Sequence, residues 1–347
     1  MRILVTGGAG FIGGHMLRFL LEDPRCAGEV ERVVCIDKLT YAAAGDALPP
    51  DDLRHHFVQG DVADRALVRS LLEKERIDTI LHFAAETHVD RSIRGADVFV
   101  KSNLLGTFEL LEAARSCWLE APDGPPSPRF LQVSTDEVFG ALEPGEAAFA
   151  EGRAYAPNNP YSATKAGADH LVHAWHHTYG LPTLITACCN NYGPRQYPEK
   201  LIPFMIRRLL QGRPVGLYGD GRQVRDWIHV GDHCRALWAV LTGGRPGASY
   251  LIGARCERSN LEVAGAVIEA LIAMASDRID AMGGTLIEHV ADRPGHDRRY
   301  AIDPGLLETE LGWRPEVSFE EGIRDTVAWY LDHQDWLEKM AARGGLP

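Results

Sequence analysis

Short apolar runs alternate with longer amphipathic stretches through the first half of the chain. Ile3 to Val5, Val33 to Ile36, His56 to Val58, Thr79 to Phe83 and Phe130 to Val133 read as strands. Between them, Phe11 to Leu21, Ala66 to Glu75 and Phe99 to Arg115 repeat apolar residues at helical spacing. A helix over Tyr161 to Tyr179 and a strand over Thr183 to Cys188 continue the alternation. Parallel neighbours need a crossover, so strands separated by helices predict βαβ units and a parallel sheet covered on both faces. Ala121 to Pro128 is rich in proline and predicts a surface loop.

After Asn190 the pattern changes. Turns such as Tyr192-Gly-Pro194, Tyr218-Gly-Asp-Gly221 and Thr242-Gly-Gly244 break up shorter elements, and helical stretches such as Asn260 to Met274 are separated by irregular segments. The expected fold is α/β: a Rossmann-type doubly wound parallel sheet over residues 1–190, carrying the catalytic residues, with a smaller C-terminal substrate-binding lobe over 191–347. Some segments of that lobe are expected to return to the main sheet. No repeat or low-complexity tract is present.

Composition narrows the function. The 347 residues carry 36 Lys and Arg against 48 Asp and Glu, a formal charge of −12. Nucleic-acid binders normally show a basic excess, so this balance argues against one. No apolar run approaches the ~18 residues of a membrane helix, and the chain opens directly on a strand-like run, so no signal peptide is expected. The seven cysteines contain no CxxC, which indicates neither a disulfide framework nor a zinc ribbon, and a reducing cytoplasm is the default. Cys35 and Cys188 read as buried thiols, and Trp227, Trp238 and Trp313 as core. His170, His173, His176 and His177 lack a third-ligand pattern and read as a helix face rather than a metal site.

Thr6-Gly-Gly-Ala-Gly-Phe-Ile-Gly13 follows the first strand and opens the first helix. Glycines there permit a tight turn and close approach of backbone to a pyrophosphate, and the helix N-terminus offers free amides to it. Asp37 closes the second strand, where a carboxylate accepts from both ribose hydroxyls and repels the extra phosphate of NADP, favouring NAD. Asp61 and Val62 after the third strand, Phe83, Ala84, Ala85 and Thr87 after the fourth, and Ser102 in the next helix fall where strand ends meet such a cofactor.

Tyr161 and Lys165 stand one helical turn apart, a phenol beside an ammonium whose charge favours the phenolate. This YxxxK, about 150 residues after the glycine turn, matches the extended short-chain dehydrogenase/reductases; Ser134 or Thr135 would complete the Ser/Thr–Tyr–Lys set. Asp136 and Glu137 follow the same strand. Two adjacent carboxyls can divide acid and base work if their surroundings split their pKa values.

Together the Gly7 to Gly13 turn, Asp37-Lys-Leu-Thr-Tyr-Ala42, His82 to Ile93, Ser134 to Gly140, Tyr161 to Lys165, Asn190-Asn-Tyr-Gly-Pro194, Pro198 to Pro203, Arg225-Asp-Trp227 and Asp292 to Tyr300 resemble, nearly end to end, the dTDP-glucose 4,6-dehydratase family. The resemblance implies that Tyr161 takes the C4 hydroxyl proton, Thr135 bonds the C4 oxygen, Glu137 removes the C5 proton and Asp136 protonates the departing C6 hydroxyl, while a hydride leaves C4 and returns to C6. It implies NAD held by Gly7, Gly10, Phe11, Ile12, Gly13, Asp37, Lys38, Leu39, Thr40, Asp61, Val62, Phe83, Ala84, Ala85, Thr87, Ser102, Tyr161, Lys165 and Asn191. It implies substrate contacts at Thr87, Thr135, Asp136, Glu137, Asn190, Lys200, Leu201, Tyr218, Arg225, Asn260, Arg293 and His296, with Arg225 and Arg293 suited to a pyrophosphate and Tyr218 to a base. It also implies a homodimer through the helices near Phe99 to Arg115 and Pro160 to Tyr179.

Phe139 stands where the family has a tyrosine, which removes one hydroxyl near the acid pair; Gly216, Arg195 and Thr87 also depart from it. The changes around Tyr218 and Arg195 leave the nucleobase open between dTDP, UDP and another nucleotide. A 4-epimerase or decarboxylase of the same fold is the alternative reaction, with no need for the Asp136–Glu137 pair; a non-catalytic dinucleotide sensor has no need for Tyr161 and Lys165. Between Gly193 and Arg235, eight basic residues face four acids, a local excess expected to steer an anion into an acidic protein.

Overall fold

The computed structural model describes residues 1–26, 28–44, 52–280, 285–292 and 296–346. In chain order its strands are β1 (Arg2–Thr6), β2 (Arg32–Asp37), β3 (His55–Gln59), β4 (Thr79–His82), β5 (Arg129–Thr135), β6 (Thr183–Cys188), β7 (Asn190–Tyr192), β8 (Val215–Tyr218), β9 (Val224–His229), β10 (Ser249–Ile252), β11 (Glu257–Ser259) and β12 (Ile287–Val290). Its α-helices are α1 (Phe11–Glu22), α2 (Arg65–Lys74), α3 (Val89–Arg94), α4 (Asp97–Phe99), α5 (Gly106–Arg115), α6 (Pro160–Tyr179), α7 (Leu201–Leu210), α8 (Val230–Gly243), α9 (Asn260–Asp280), α10 (Gly305–Leu311), α11 (Phe319–Asp332) and α12 (Gln334–Arg343).

Seven strands form one parallel sheet in the order β10-β6-β5-β4-β1-β2-β3. Successive residues of a strand point to opposite faces, and here both faces are apolar. Ile3, Val5, Val33, Cys35, Leu81, Leu131 and Val133 join Met16, Leu17 and Leu20 of α1 and Leu237 and Val240 of α8 in one core. Leu4, Val34, Ile36, Ile80, Phe130 and Ile185 pack with Val68 of α2, Leu110 and Leu111 of α5 and Val172 of α6 on the other. The sheet is therefore doubly wound, as the strand and helix pattern predicts.

The stretch expected as one helix from Phe99 to Arg115 is more elaborate. It runs from Asp97 to Glu120, with wide π turns at Val100–Leu105 and Ser116–Glu120 flanking α5. The first wide turn holds Ser102 and Asn103, both buried, and both serve the site described below. Residues 121–128 form the expected irregular, largely exposed connection.

Beyond Asn190, β7 pairs parallel with β9 and β11 antiparallel to it, while β8 and β12 form a separate parallel pair. Ile202, Met205 and Ile206 of α7, Val263, Val267 and Leu271 of α9, and Ile323, Val327 and Tyr330 of α11 close a third core around them. β10 joins the edge of the large sheet beside β6, and Leu307 of α10 packs into the first core. Cys35 and Cys188 are buried free thiols; Trp227 and Trp313 are core, with Trp238 packed against it. Among the described residues no helix is long and apolar enough to cross a membrane, and no cluster of His, Cys, Asp and Glu is arranged to hold a metal ion.

Candidate active site

The turn between β1 and α1 is set by backbone contacts that leave no room for side chains. Gly7 has φ +72°, and a Cβ there would lie 2.7 Å from the Ala84 amide nitrogen. A Cβ on Gly13 would lie 2.3 Å from the Gly7 carbonyl oxygen. α1 starts at Gly10 with no side-chain cap and no acid in its first turn, so the positive end of its dipole is uncompensated by the protein. Asp37, at the end of β2, accepts the Ala9 amide at 3.0 Å and the Leu39 amide at 2.7 Å. A carboxylate has about four lone-pair positions, so these two bonds leave acceptor capacity for a diol. Lys38 lies 3.7 Å from an Asp61 oxygen and 3.5 Å from the Ser102 hydroxyl.

These groups open on a cavity of about 330 Å³ at the carboxyl ends of the large sheet, where ligands bind in doubly wound folds. Gly7, Gly10, Phe11, Ile12, Gly13, Asp37, Lys38, Thr40, Asp61, Val62, Phe83, Ala84, Ala85, Thr87, Ser102 and Asn191 all line it, with Thr135, Asp136, Glu137, Tyr161, Lys165, Asn190 and Lys200. Leu39 does not: its amide is turned to Asp37, and its carbonyl accepts from Arg343 at 3.4 Å. A narrow glycine floor, an uncapped helix start, a carboxylate at the end of β2 and small residues along the β4 loop fit an NAD dinucleotide.

Behind the cavity a hydrogen-bonded chain ties the β4 loop to α6. His82 bridges the Thr6 hydroxyl at 2.7 Å and the Thr107 hydroxyl at 3.0 Å, and burial lowers its pKa to about 3, so the ring is neutral. Asn103 accepts the Glu86 amide at 2.8 Å, and its Nδ2 donates to the Glu86 carbonyl and the Thr164 hydroxyl, both at 3.0 Å. Thr164 in turn donates to the Tyr161 carbonyl at 2.8 Å.

α6 begins with a capping box in which Asn159 accepts the Ser162 amide at 2.9 Å, and Pro160 occupies its first turn. That start places Tyr161 beside the end of β5. The Thr135 hydroxyl acts on the phenol, favouring its ionised form, and stands 3.3 Å from both the Glu137 amide and an Asp136 oxygen. Ser134 is turned the other way, donating to Asp169, so of the two hydroxyls it is Thr135 that meets the tyrosine.

The two carboxyls have different surroundings. Asp136 is buried, and its Oδ2 has no hydrogen-bond partner. Burial, then the charge of Glu137, pushes its carboxyl well above the ordinary range, with Arg225 opposing, which favours the protonated acid. Glu137 is less buried and accepts from the Asn159 amide group at 3.2 Å. Tyr161 departs from expectation. Burial and then the Glu137 charge hold its phenol well above the usual value. Lys165 does not reverse this; its Nζ donates to the Val133 carbonyl at 2.8 Å, and the charge of Asp169 acts on it.

Thr87 and Lys200 meet across the cavity, with Nζ 3.3 Å from the Thr87 carbonyl and 3.4 Å from its hydroxyl. Leu201, Tyr218, Arg225, Asn260 and His296 lie outside the lining. Tyr218 packs edge-on to His296 at 5.9 Å. Arg225 is buried over the Tyr300 ring and donates to the Val224 and Asp297 carbonyls. Asn260 opens α9, and Arg293 lies outside the described residues. Phe139 does not face the acid pair; it packs on Phe149 and Tyr155 in the core. Of the eight basic residues in the local excess, Lys200 alone lines the cavity. Arg207, Arg208 and Arg235 pair with Glu338, Glu288 and Glu316, acids from outside that stretch. The sequence reading passed over Glu199, which lines the cavity and accepts from Tyr41 at 2.9 Å, and Asp169, whose spacing of four from Lys165 was a usable signal.

Comparison with known proteins agrees with this geometry. The family described as GDP-mannose 4,6 dehydratase matches residues 4–326. The dTDP-glucose 4,6-dehydratase of Xanthomonas campestris pv. campestris (strain B100) is 52% identical over 340 residues, covering 96% of this chain and 94% of the relative. That of Salmonella typhimurium is 46% identical over 354 residues, covering 98% and 95%. Among solved structures, DesIV, the dTDP-glucose 4,6-dehydratase of Streptomyces venezuelae crystallised with NAD, superposes with a TM-score of 0.89 at 46% identity, covering 98% of this chain and 100% of that one. The NAD complex of Thermus thermophilus UDP-glucose 4-epimerase gives 0.81 at 30% identity, covering 95% and 99%. The chain belongs to the dTDP-glucose 4,6-dehydratase family.

Proposed function

We propose that this protein converts dTDP-glucose to dTDP-4-keto-6-deoxyglucose with NAD as cofactor. The observation that carries the reading is the split pair: a buried Asp136 with a partnerless oxygen and a raised pKa beside a Glu137 that accepts a hydrogen bond, both lining one cavity with Tyr161 and a dinucleotide turn. An epimerase has no step for two such carboxyls. The cofactor would rest on Gly7 to Gly13, Asp37 and the β4 loop, with Lys165 and Asn191 at its other end. Bound NAD supplies the hydride acceptor for C4 and the donor for C6, and its oxidised form adds a positive charge that favours ionising a phenol in the same cavity.

The chain's own groups handle the protons. Tyr161, as phenolate, takes the proton of the C4 hydroxyl while Thr135 holds that oxygen. The C4 ketone acidifies the C5 proton, which Glu137 removes. Asp136 gives its proton to the C6 hydroxyl, which leaves as water, and Glu137 returns a proton to C5. Per turnover Tyr161 gains one proton and Asp136 loses one. Thr135 donates to Asp136 and acts on the Tyr161 phenol, so it offers a path for restoring them.

Asn190, Thr87 and Lys200 suit the sugar side of the cavity. Arg225, Tyr218, Asn260, His296 and Arg293 form the outer, nucleotide end of this reading, and residues 191–347 the lobe that mainly carries it. The reading places the enzyme in the cytoplasm, where free thiols persist. It makes the enzyme a homodimer through the helices near Phe99 to Arg115 and Pro160 to Tyr179, where Val98, Val100, Leu105 and Tyr179 are exposed. A panel of dTDP-, UDP-, GDP- and CDP-glucose scored for water loss tests both reaction and nucleobase. Water loss greatest with dTDP-glucose supports the reading, and an isomer of unchanged mass overturns it.

A further inference from the structure

Asp169 is a fully buried carboxylate to which the reaction above assigns no step. It lies one helical turn beyond Lys165 on α6, on the same face. Its Oδ2 accepts from the Ser134 hydroxyl and, at 3.3 Å, from the Tyr155 hydroxyl; its Oδ1 is buried with no partner in good hydrogen-bond geometry, and the Gln132 side chain of β5 is the other polar group that acts on the carboxylate. A buried carboxylate with an orphan oxygen is costly unless a cation faces it. Lys165, itself buried, is the cation that acts on it.

The remaining neighbours supply no alternative charge. On β4, His82 is neutral, with its pKa near 3. On β6, the Cys188 thiol is pushed up to about 12 and stays protonated. Before α6, the Tyr155 phenol lies above its ordinary range and carries no charge; its ring packs on His170. On β5, Ser134 and the Val133 carbonyl contribute dipoles only. Beyond β5, Asp136 and Glu137 bear on Tyr161.

We infer that Asp169 is a positioning residue for the reaction: its charge, one helical turn away, keeps Lys165 an ammonium at the end of β5, where it donates from Nζ to the Val133 carbonyl and lines the cavity. Burial alone lowers the Lys165 pKa, and the Asp169 charge works against that. Asp169 is itself lifted only to about 6, so at neutral pH it carries the charge this role requires. Ser134, the strand-end hydroxyl turned away from the tyrosine, then serves the lysine through Asp169.

The inference rests on the proposed dehydratase reaction, and its test separates the two. In a single turnover of holoenzyme with dTDP-glucose, the rate of nicotinamide reduction reports C4 oxidation, before Asp136 and Glu137 act. Asp169→Asn keeps an acceptor for Ser134 and Tyr155 but removes the charge. Its alkaline limb is expected at least about one pH unit below that of wild type, roughly a tenfold loss where wild type is still fully active, and Asp169→Glu restores it. A folded Asp169→Asn enzyme with bound NAD and an unmoved limb overturns the inference. A wild-type enzyme that never reduces its nicotinamide overturns the dehydratase reading instead. If Asp169→Asn does not fold, the ε-carbon signals of the six lysines in wild-type holoenzyme, with Lys165→Arg for assignment, decide the matter. Lys165 must be an ammonium at pH 7, and a neutral amine there overturns the proposal.

Discussion

Asp136 and Glu137 are chain neighbours with opposite surroundings. The first loses its water and keeps an orphan oxygen; the second retains solvent and a hydrogen bond from Asn159. If Glu137 removes the C5 proton, Glu137→Gln still oxidises C4 but cannot eliminate. Turnover is expected to fall by ~10²–10⁴, the span of general-base contributions, with reduced nicotinamide accumulating on mixing with substrate. Turnover near wild type in that variant removes the assigned role. The residue types and spacing of this site were legible in the chain, because a YxxxK and a carboxyl pair after a strand are local patterns. Which hydroxyl of Ser134 and Thr135 meets Tyr161 was not legible. That depends on the strand's last pleat and on Asp169 drawing Ser134 away. The effect of Lys165 on the phenol was misjudged for a similar reason, since spacing gives adjacency but not where the ammonium points.

At the scale of elements, the βαβ core was readable because its strands are apolar on both faces and its helices on one. The run from Asp97 to Glu120 was not, because its wide turns answer to tertiary partners such as Glu86 and Thr164, not to periodicity. Gly13 shows how tightly the first βα unit is built. Gly13→Ala sets a Cβ 2.3 Å from the Gly7 oxygen, and overpacking of this kind costs about 1–3 kcal/mol. NAD affinity is expected to drop at least about tenfold, measured as cofactor retained through dialysis; full retention would mean that α1 yields without disturbing the turn. His233, at the start of α8, is buried and bonds the Asn191 side chain at 2.8 Å, with its pKa lowered to about 3. The unfolded chain protonates this histidine first, so its contribution is present above about pH 6.5 and is lost as pH falls toward 3. Unfolding free energy between about pH 6 and 4 is therefore expected to fall less steeply in His233→Asn, by about 1.4 kcal/mol per pH unit. Equal slopes in the two proteins would contradict a neutral buried ring.

At the scale of the whole molecule, the charge of −12 coexists with a reaction on an anion, and the basic excess near Arg207 does not resolve that, being paired with distant acids. The proposed fit is at closer range: the uncapped helix start and, from that same basic stretch, Lys200 in the cavity lining and Arg225 buried outside it. The exposed apolar side chains of the helices near Phe99 to Arg115 and Pro160 to Tyr179 are expected to be covered by a second copy. Val98→Glu combined with Leu105→Glu should convert a dimer to a monomer in light scattering, and an unchanged mass would place the interface elsewhere. Incubating purified wild-type holoenzyme with dTDP-glucose and weighing the nucleotide-sugar product tests the dehydratase reaction itself. The account requires a product lighter by one water, with no net accumulation of reduced nicotinamide. A product of unchanged mass, or stoichiometric reduced cofactor, would contradict it.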